Sequence, residues 1–102
     1  MMVVITTLPD QEQARALSRN LVETRMIACA NIIPQINSVY RWQDELIEQG
    51  ECLVIMKTQA RQLDRVRDFL ATHHPYDVPE FIALNVSDSA EPYLAWLKQE
   101  LS

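Results

Sequence analysis

The segment at residues 73–80, His-His-Pro-Tyr-Asp-Val-Pro-Glu, holds the most concentrated set of reactive side chains in the sequence. It contains both histidines of the chain, His73 and His74, together with the carboxylates of Asp77 and Glu80. Imidazole nitrogens and carboxylate oxygens are groups that bind metal ions or move protons near neutral pH. The segment is therefore the first candidate for a metal site or an acid–base site.

The proline after the histidine pair decides how the two imidazoles can be placed. Neighbouring side chains on a regular helix diverge by about 100° and do not easily share one ion. Pro75 disfavours helical geometry for His74, so the chain leaves the helix between the two rings and can bring them closer. We predict His73 and His74 as metal ligands. The competing interpretation is a structural pair at a helix C-terminus, where the helix dipole favours the protonated form and the rings pack on Tyr76.

Size and charge restrict the classes of protein to consider. At 102 residues and 11.8 kDa, with 48% apolar and 23% charged residues, the sequence predicts one folded domain over residues 1–102. A net charge of −5 would repel a phosphate backbone, so we expect no nucleic-acid partner. Residues 1–8 lack a basic leader and are too short for a membrane span, which predicts a cytoplasmic protein without a membrane partner.

The hydrophobic period changes several times along the chain and predicts the order of elements. A strand at 3–8 is followed by a helix at 11–25, with Asp10 and Gln13 forming a capping box. Strands at 27–42 and 46–57 form a long hairpin around a turn at 43–45. A helix capped by Thr58 ends at His74, a strand covers 81–86, and a last helix is capped by residues 87–89. This order predicts an α+β, ferredoxin-like β-α-β-β-α-β sandwich with a C-terminal helix.

The long hairpin predicts self-association. Its first strand would extend roughly 50 Å, which is more than a domain of this size can cover. The tip carries Tyr40, Trp42, Leu46 and Ile47, and an exposed apolar patch normally marks an interface. The alternative is a hairpin that bends at the predicted bulges, Pro34 and Gly50, and folds back on its own sheet.

The two cysteines, Cys29 and Cys52, are predicted to be unpaired buried thiols. A turn centred on residues 43–44 places Cys52 opposite Gln35, which leaves Cys29 roughly 20 Å away along the strand. A disulfide within one chain is therefore not expected.

Five motifs follow one another along the sequence. They are Ala-Cys-Ala-Asn-Ile-Ile-Pro at 28–34, Ser-x-Tyr-x-Trp at 38–42, Lys-Thr at 57–58, His-His-Pro-Tyr-x-x-Pro-Glu at 73–80 and Tyr-Leu-x-Trp-Leu at 93–97. Together they resemble one protein family, the CutA divalent-cation tolerance proteins. The resemblance spans nearly the whole chain. It implies a ferredoxin-like subunit, a homotrimer in which the hairpins pack between subunits, and a non-enzymatic role in tolerance of divalent metal ions, copper above all.

The sequence departs from the family pattern at two positions. Copper-binding members carry a cysteine in the first strand that acts with the histidine pair, and the matching residue here is Thr6, whose hydroxyl is a poor copper ligand. Many members have glycine after the proline of the second strand, where this chain has Gln35. The expectation is therefore a weak or non-obligate metal ion, bound through His73 and His74.

Three other interpretations remain open. Lys57, His73, His74 and Glu80 could form a small enzyme or anion site at a subunit cleft. The subunit architecture is also that of the trimeric PII signalling proteins, which sense ligands. Finally, the aromatic side chains of the hairpin and the last helix could form a stacking platform, although core and interface packing is their commoner use. These residues are Tyr40, Trp42, Tyr93 and Trp96.

Overall fold

The computed structural model describes residues 1–101 and confirms the α+β architecture. The elements are β1 (Met2–Leu8), α1 (Gln11–Glu23), β2 (Cys29–Trp42), β3 (Glu45–Thr58), α2 (Leu63–His73), β4 (Ile82–Asn85) and α3 (Glu91–Glu100), with a 3₁₀ turn at Ala60–Gln62 before α2. The four strands form one antiparallel sheet in the order β2-β3-β1-β4. Of the described helices, none is long and apolar enough to cross a membrane.

One face of the sheet forms the core with α1 and α2. Alternate residues of β1 and β3 point to this face and are buried, because successive side chains of a strand lie on opposite sides. The helices contribute apolar residues at helical spacing, and Leu21 and Val66 are fully buried among the strand residues. This packing fixes the strand register, since a slip of one residue would turn every buried side chain outward.

The opposite face of the sheet is apolar and only partly covered, and we call it the open face. Ile33, Ile82 and Leu84 are 39%, 45% and 48% exposed. The residues that pair with them across the sheet on this face, and Ile55 beside Ile5, are half-buried. With those partners, the open face comprises Val3, Ile5, Ile33, Leu53, Ile55, Ile82 and Leu84. An apolar sheet face of this kind is normally covered by another layer.

A two-residue turn closes the hairpin where the sequence predicts it. Gln43 and Asp44 have φ of 52° and 65°, so both lie in the left-handed region. This is the pattern of a type I′ turn, whose twist matches that of the flanking strands. The turn pairs Trp42 with Glu45 and thereby sets the register of the hairpin.

Of the two predicted bulges, one is confirmed and the other is wrong. The register shifts between Ile33 and Ile36 on β2, so Pro34 and Gln35 together oppose Cys52 on β3. Proline is tolerated there because β2 is an edge strand and the bulge removes the need for a ladder hydrogen bond. Gly50 instead pairs regularly with Asn37.

The helix starts are only partly as predicted. Asp10 caps α1, since its carboxylate accepts from the Gln13 backbone N–H at 2.8 Å and from the Gln13 side chain at 2.8 Å. The Thr58 cap is wrong: Thr58 ends β3, and its hydroxyl donates to the Met26 carbonyl at 2.7 Å. The cap at residues 87–89 is also wrong, because α3 begins after Ala90 without a side-chain cap.

The chain is elongated along the hairpin, as the self-association argument requires. Its principal extents are 45 × 26 × 22 Å. At the tip, Tyr40, Trp42 and Leu46 are 37%, 44% and 67% exposed. The alternative in which the hairpin folds back on its own sheet is therefore wrong for this chain.

Candidate functional site

His74 lies where α2 ends, and Pro75 sets its backbone conformation. The helix stops at His73, and His74 has φ of −75° and ψ of 140°, an extended geometry that a residue before proline prefers. This conformation turns the His74 side chain onto β1, where it is only 8% exposed. The predicted helix stop at His74 is thus confirmed.

Both ring nitrogens of His74 are engaged by the backbone. Nε2 lies 2.8 Å from the carbonyl oxygen of Thr7, and Nδ1 lies 3.1 Å from the backbone N–H of Tyr76. Because a carbonyl only accepts and an N–H only donates, Nε2 carries the proton and Nδ1 accepts. The Thr6 hydroxyl oxygen lies 3.3 Å from the same Nε2. His74 is therefore held as a neutral imidazole, with neither nitrogen free for a metal ion.

Burial lowers the pKa of His74 below its ordinary value, and this outweighs the hydrogen bond to Thr7 and the negative charge of Glu51. The unfolded chain then binds the proton more readily than the folded one. We expect the free energy of unfolding to be fully retained above the unfolded pKa of about 6.5 and to fall as the pH drops through the lower folded value.

Urea unfolding at pH values from 8 to 5 measures this dependence. A His74→Gln variant is the control, since its amide can still donate to Thr7 but does not titrate. If both proteins lose stability in parallel over this range, His74 is not the responsible group.

His73 lies on the outer side of the same helix end and is exposed. Its Nδ1 lies 3.2 Å from the Phe69 carbonyl, and its ring stacks on Phe69 at 4.2 Å between centroids. Nδ1 is therefore the donor, and Nε2 has its lone pair free of the described contacts. His73 lines a small cleft beside α1, together with Leu17. The two imidazoles therefore have separate surroundings and share no hydrogen-bond partner.

The histidine pair gains no third ligand within one chain. Among residues 1–101, no group of three or more His, Cys, Asp or Glu side chains is placed to hold a metal ion. Asp77 and Glu80, considered above as oxygen ligands, line a different cleft from His73. Metal binding by His73 and His74 stays a prediction, and the residues present do not fit a high-affinity copper site, because His74 has no free nitrogen and Thr6 offers only a hydroxyl.

A larger cleft of about 700 Å³ opens between the hairpin and residues 75–80, and we call it the acidic cleft. Its walls include Tyr40 and Trp42 from β2, Glu51 from β3, and Tyr76 and Glu80 from the loop after α2. The Tyr76 hydroxyl donates to Glu51 at 2.6 Å. This contact joins the loop to the hairpin, two segments that are far apart in sequence.

The charged side chains that line the acidic cleft are all carboxylates. Glu51 is only 6% exposed, and Asp77 and Glu80 also line the cleft. Desolvation and then the negative charge of Glu51 raise the pKa of Glu80, and burial together with the Glu51 hydrogen bond raises that of Tyr76. Sequence reasoning missed Glu51. Its signal was a charged residue directly before the most apolar part of a strand, flanked by Gly50 and Cys52.

The residues of the alternative enzyme site are not brought together. Lys57 lies on β3 opposite Cys29, and its ammonium group contacts the Asn31 side chain. Glu80 lines the acidic cleft, His73 lines the small cleft, and His74 is sealed against β1. Within one chain, these four groups therefore do not line a common cleft.

Comparison with known proteins places this arrangement in a family. Residues 2–100 match the family model described as CutA1 divalent ion tolerance protein. The chain belongs to the CutA1 family. The divalent-cation tolerance protein CutA of Thermus thermophilus is 40% identical over 97 residues, which cover 95% of this chain and 94% of that protein. Human protein CutA is 42% identical over 93 residues, and the chain spans about half of its length, 52%.

Solved structures of CutA1 proteins have the same subunit fold. The crystal structure of CutA1 from Pyrococcus horikoshii has a TM-score of 0.96 at 37% identity, and the alignment covers 100% of this chain and 99% of that one. The periplasmic divalent cation tolerance protein CutA from Archaeoglobus fulgidus has a TM-score of 0.96 at 26% identity, with 100% of both chains covered. The relatives from Thermus thermophilus and Archaeoglobus fulgidus are named as divalent-cation tolerance proteins.

Proposed function

We propose that this chain contributes to divalent-cation tolerance as a non-enzymatic homotrimer that binds divalent metal ions weakly, copper above all. The observation that carries the proposal is the match of residues 2–100 to the CutA1 divalent ion tolerance family. The name of the Thermus thermophilus relative states the same role for that protein. A cytoplasmic location is part of the proposal, although relatives include proteins named as chloroplastic and periplasmic.

The open face and the hairpin tip support the assembly. Both surfaces are apolar, and the open face includes three aliphatic side chains that are 39–48% exposed. Covering apolar surface contributes about 25 cal/mol for each Å² removed from water. A second copy of the chain supplies a layer of matching chemistry for these surfaces, and a closed ring of identical copies covers them on every subunit.

His73 is the better of the two predicted metal ligands. It is exposed and keeps one nitrogen lone pair, whereas metal binding at His74 would break a hydrogen bond to Thr7 or to Tyr76. A single imidazole without thiolate or further nitrogen ligands holds copper weakly. The proposed metal ion is therefore loosely bound and is not needed for folding.

Calorimetric titration with copper and with zinc tests the metal part of this proposal. We expect weak copper binding that His73→Ala reduces by roughly tenfold or more, because a direct ligand contributes at least about 1.4 kcal/mol. His74→Ala is the matched control. It should lower the free energy of unfolding and leave copper affinity within about twofold. Equal copper affinity in the intact chain and in both variants would remove the histidines from the metal site.

A further inference from the structure

The acidic cleft has the size of a site for a small ligand. Its volume of about 700 Å³ lies within the range of roughly 300–1,000 Å³ that is typical of small-molecule pockets. One wall is the hairpin, and the other is the loop that Pro75 directs away from α2. The hydrogen bond between Tyr76 and Glu51 ties the two walls together, so the cleft is formed before any ligand arrives.

The charge of the acidic cleft selects a positively charged ligand. Glu51, Asp77 and Glu80 line the cleft, and none of the described lining residues is a lysine or arginine. Glu51 is only 6% exposed as a residue, and the described partner of its carboxylate is the neutral hydroxyl of Tyr76. A buried carboxylate is normally paired with a cation, and no ion pair to Glu51 is formed among residues 1–101. The raised pKa of Glu80, caused by desolvation and by Glu51, agrees with this excess of negative charge.

The aromatic rings in the acidic cleft favour an organic ammonium ion over a metal ion as its ligand. Tyr40, Trp42 and Tyr76 line the same cleft. Gln49 donates to the Tyr40 hydroxyl at 2.6 Å and so restrains that ring. Ammonium groups are attracted to the faces of Trp and Tyr rings, and apolar substituents on the ammonium nitrogen pack against such rings. Metal ions such as Mg²⁺ or Ca²⁺ need several oxygen ligands at once, and no such group is placed together in residues 1–101.

We propose that the acidic cleft binds a small organic ammonium ion, with Glu51 as the counter-ion and Trp42 and Tyr76 as aromatic walls. This site is separate from His73 and goes beyond the proposed role in metal tolerance. The cleft adjoins the open face, because Thr7 and Glu51 occupy the strand positions that alternate with the buried Thr6 and Cys52. A neighbouring copy on the open face would cover the mouth of the cleft and enclose the ligand.

Fluorescence of Trp42 gives a direct measure of binding. The chain has two tryptophans, so Trp96→Phe leaves Trp42 as the only one. Choline is the probe, and 3,3-dimethylbutan-1-ol is its uncharged analogue of the same shape. At low salt we expect choline to cause a saturable change in Trp42 fluorescence. The alcohol should bind at least roughly tenfold more weakly than choline, because it lacks the charge interaction.

Substitutions in the same background then test the counter-ion. Glu51→Gln should weaken choline binding by roughly tenfold or more, and Glu80→Gln by a smaller factor. Glu48→Gln is the matched control, because it removes the same charge from an exposed position of β3 that does not line the cleft. It should leave choline affinity unchanged. Circular dichroism of each variant shows whether it is folded. If Glu51→Gln does not fold, Glu80→Gln still tests the proposal.

Three outcomes would overturn the proposal. They are equal responses to choline and to the alcohol, equal choline affinity in the Glu51→Gln and Glu48→Gln proteins, and the lack of any saturable change. A fourth outcome would also overturn the proposal and would assign Glu51 to the contact between copies of the chain. If choline does not bind and Glu51→Gln lowers the molecular mass in solution, the carboxylate pairs with a basic side chain of a second copy. The copper titration is unaffected by these results, so failure here leaves the proposed metal role standing.

Discussion

Replacing Thr6 with cysteine is expected to raise the affinity of the chain for Cu⁺ by at least about 100-fold. The Thr6 hydroxyl oxygen lies 3.3 Å from Nε2 of His74, and both side chains are buried. A thiolate at this position would add a soft sulfur ligand beside Nε2 of His74, and copper binding to the pair would replace the hydrogen bond that Nε2 donates to Thr7. Groups that only support metal ligands already change metal affinity by about 10- to 100-fold, and a direct ligand should exceed that range.

The measurement is competition with a chromogenic Cu⁺ chelator. Thr7→Cys is the matched control, because the neighbouring side chain lies on the other side of β1 and cannot approach Nε2 in the same way. Cys29 and Cys52 are present in both proteins, so they contribute the same background. The gain should disappear when His74→Ala is added to Thr6→Cys. Equal Cu⁺ affinity of the Thr6→Cys and Thr7→Cys proteins would show that Thr6 is not the missing ligand position.

If the chain forms the proposed trimer, placing aspartate at Ile82 and Leu84 is expected to convert it into single chains. These side chains are 45% and 48% exposed on β4, so a lone chain can keep the new carboxylates in water. In the proposed trimer the open face is covered, and each carboxylate would be buried without a partner. A buried carboxylate without a partner costs about 3–5 kcal/mol. Because the assembly is symmetric, this cost is repeated in every subunit and should prevent association.

Light scattering coupled to gel filtration measures the mass at micromolar concentration. The unchanged protein should have a mass near that of three chains, and the double variant should approach 11.8 kDa. Val22→Asp is the control, because Val22 is 39% exposed on α1 and lies away from the open face. A mass of one chain for the unchanged protein would refute the assembly, and an unchanged mass for the double variant would refute the open face as its surface.

Glu51 and Tyr76 show why a cleft between distant segments cannot be predicted from a local sequence motif. The segment at residues 73–80 was singled out for its two histidines, yet in the structure Tyr76, Asp77 and Glu80 form a cleft with the hairpin instead. The decisive partner, Glu51, lies 25 positions earlier in the chain than Tyr76. The local pattern around each residue does not reveal the other, because what they share is a contact made only when β3 and the loop meet.

The sequence by itself determined the family, the order of elements and the features that depend on neighbouring residues. The Asp10 cap, the turn at Gln43 and Asp44, the bulge at Pro34 and the helix stop before Pro75 were all predicted, since each follows from the conformational limits of a few adjacent residues. The predicted cap at Thr58 failed for the opposite reason, and α3 begins after Ala90 without the predicted cap at residues 87–89. At Thr58 a hydrogen bond to the Met26 carbonyl replaced the local cap.

Only the tertiary structure decided what the two histidines can do. Pro75 bends the chain as expected, but the Thr7 carbonyl, 67 positions away in sequence, accepts a hydrogen bond from Nε2 of His74 and so occupies that nitrogen. His73 stays exposed, and its ring stacks on Phe69 of the same helix. Adjacent identical side chains thus acquire different roles, since burial and hydrogen bonding depend on which distant segment packs against each of them.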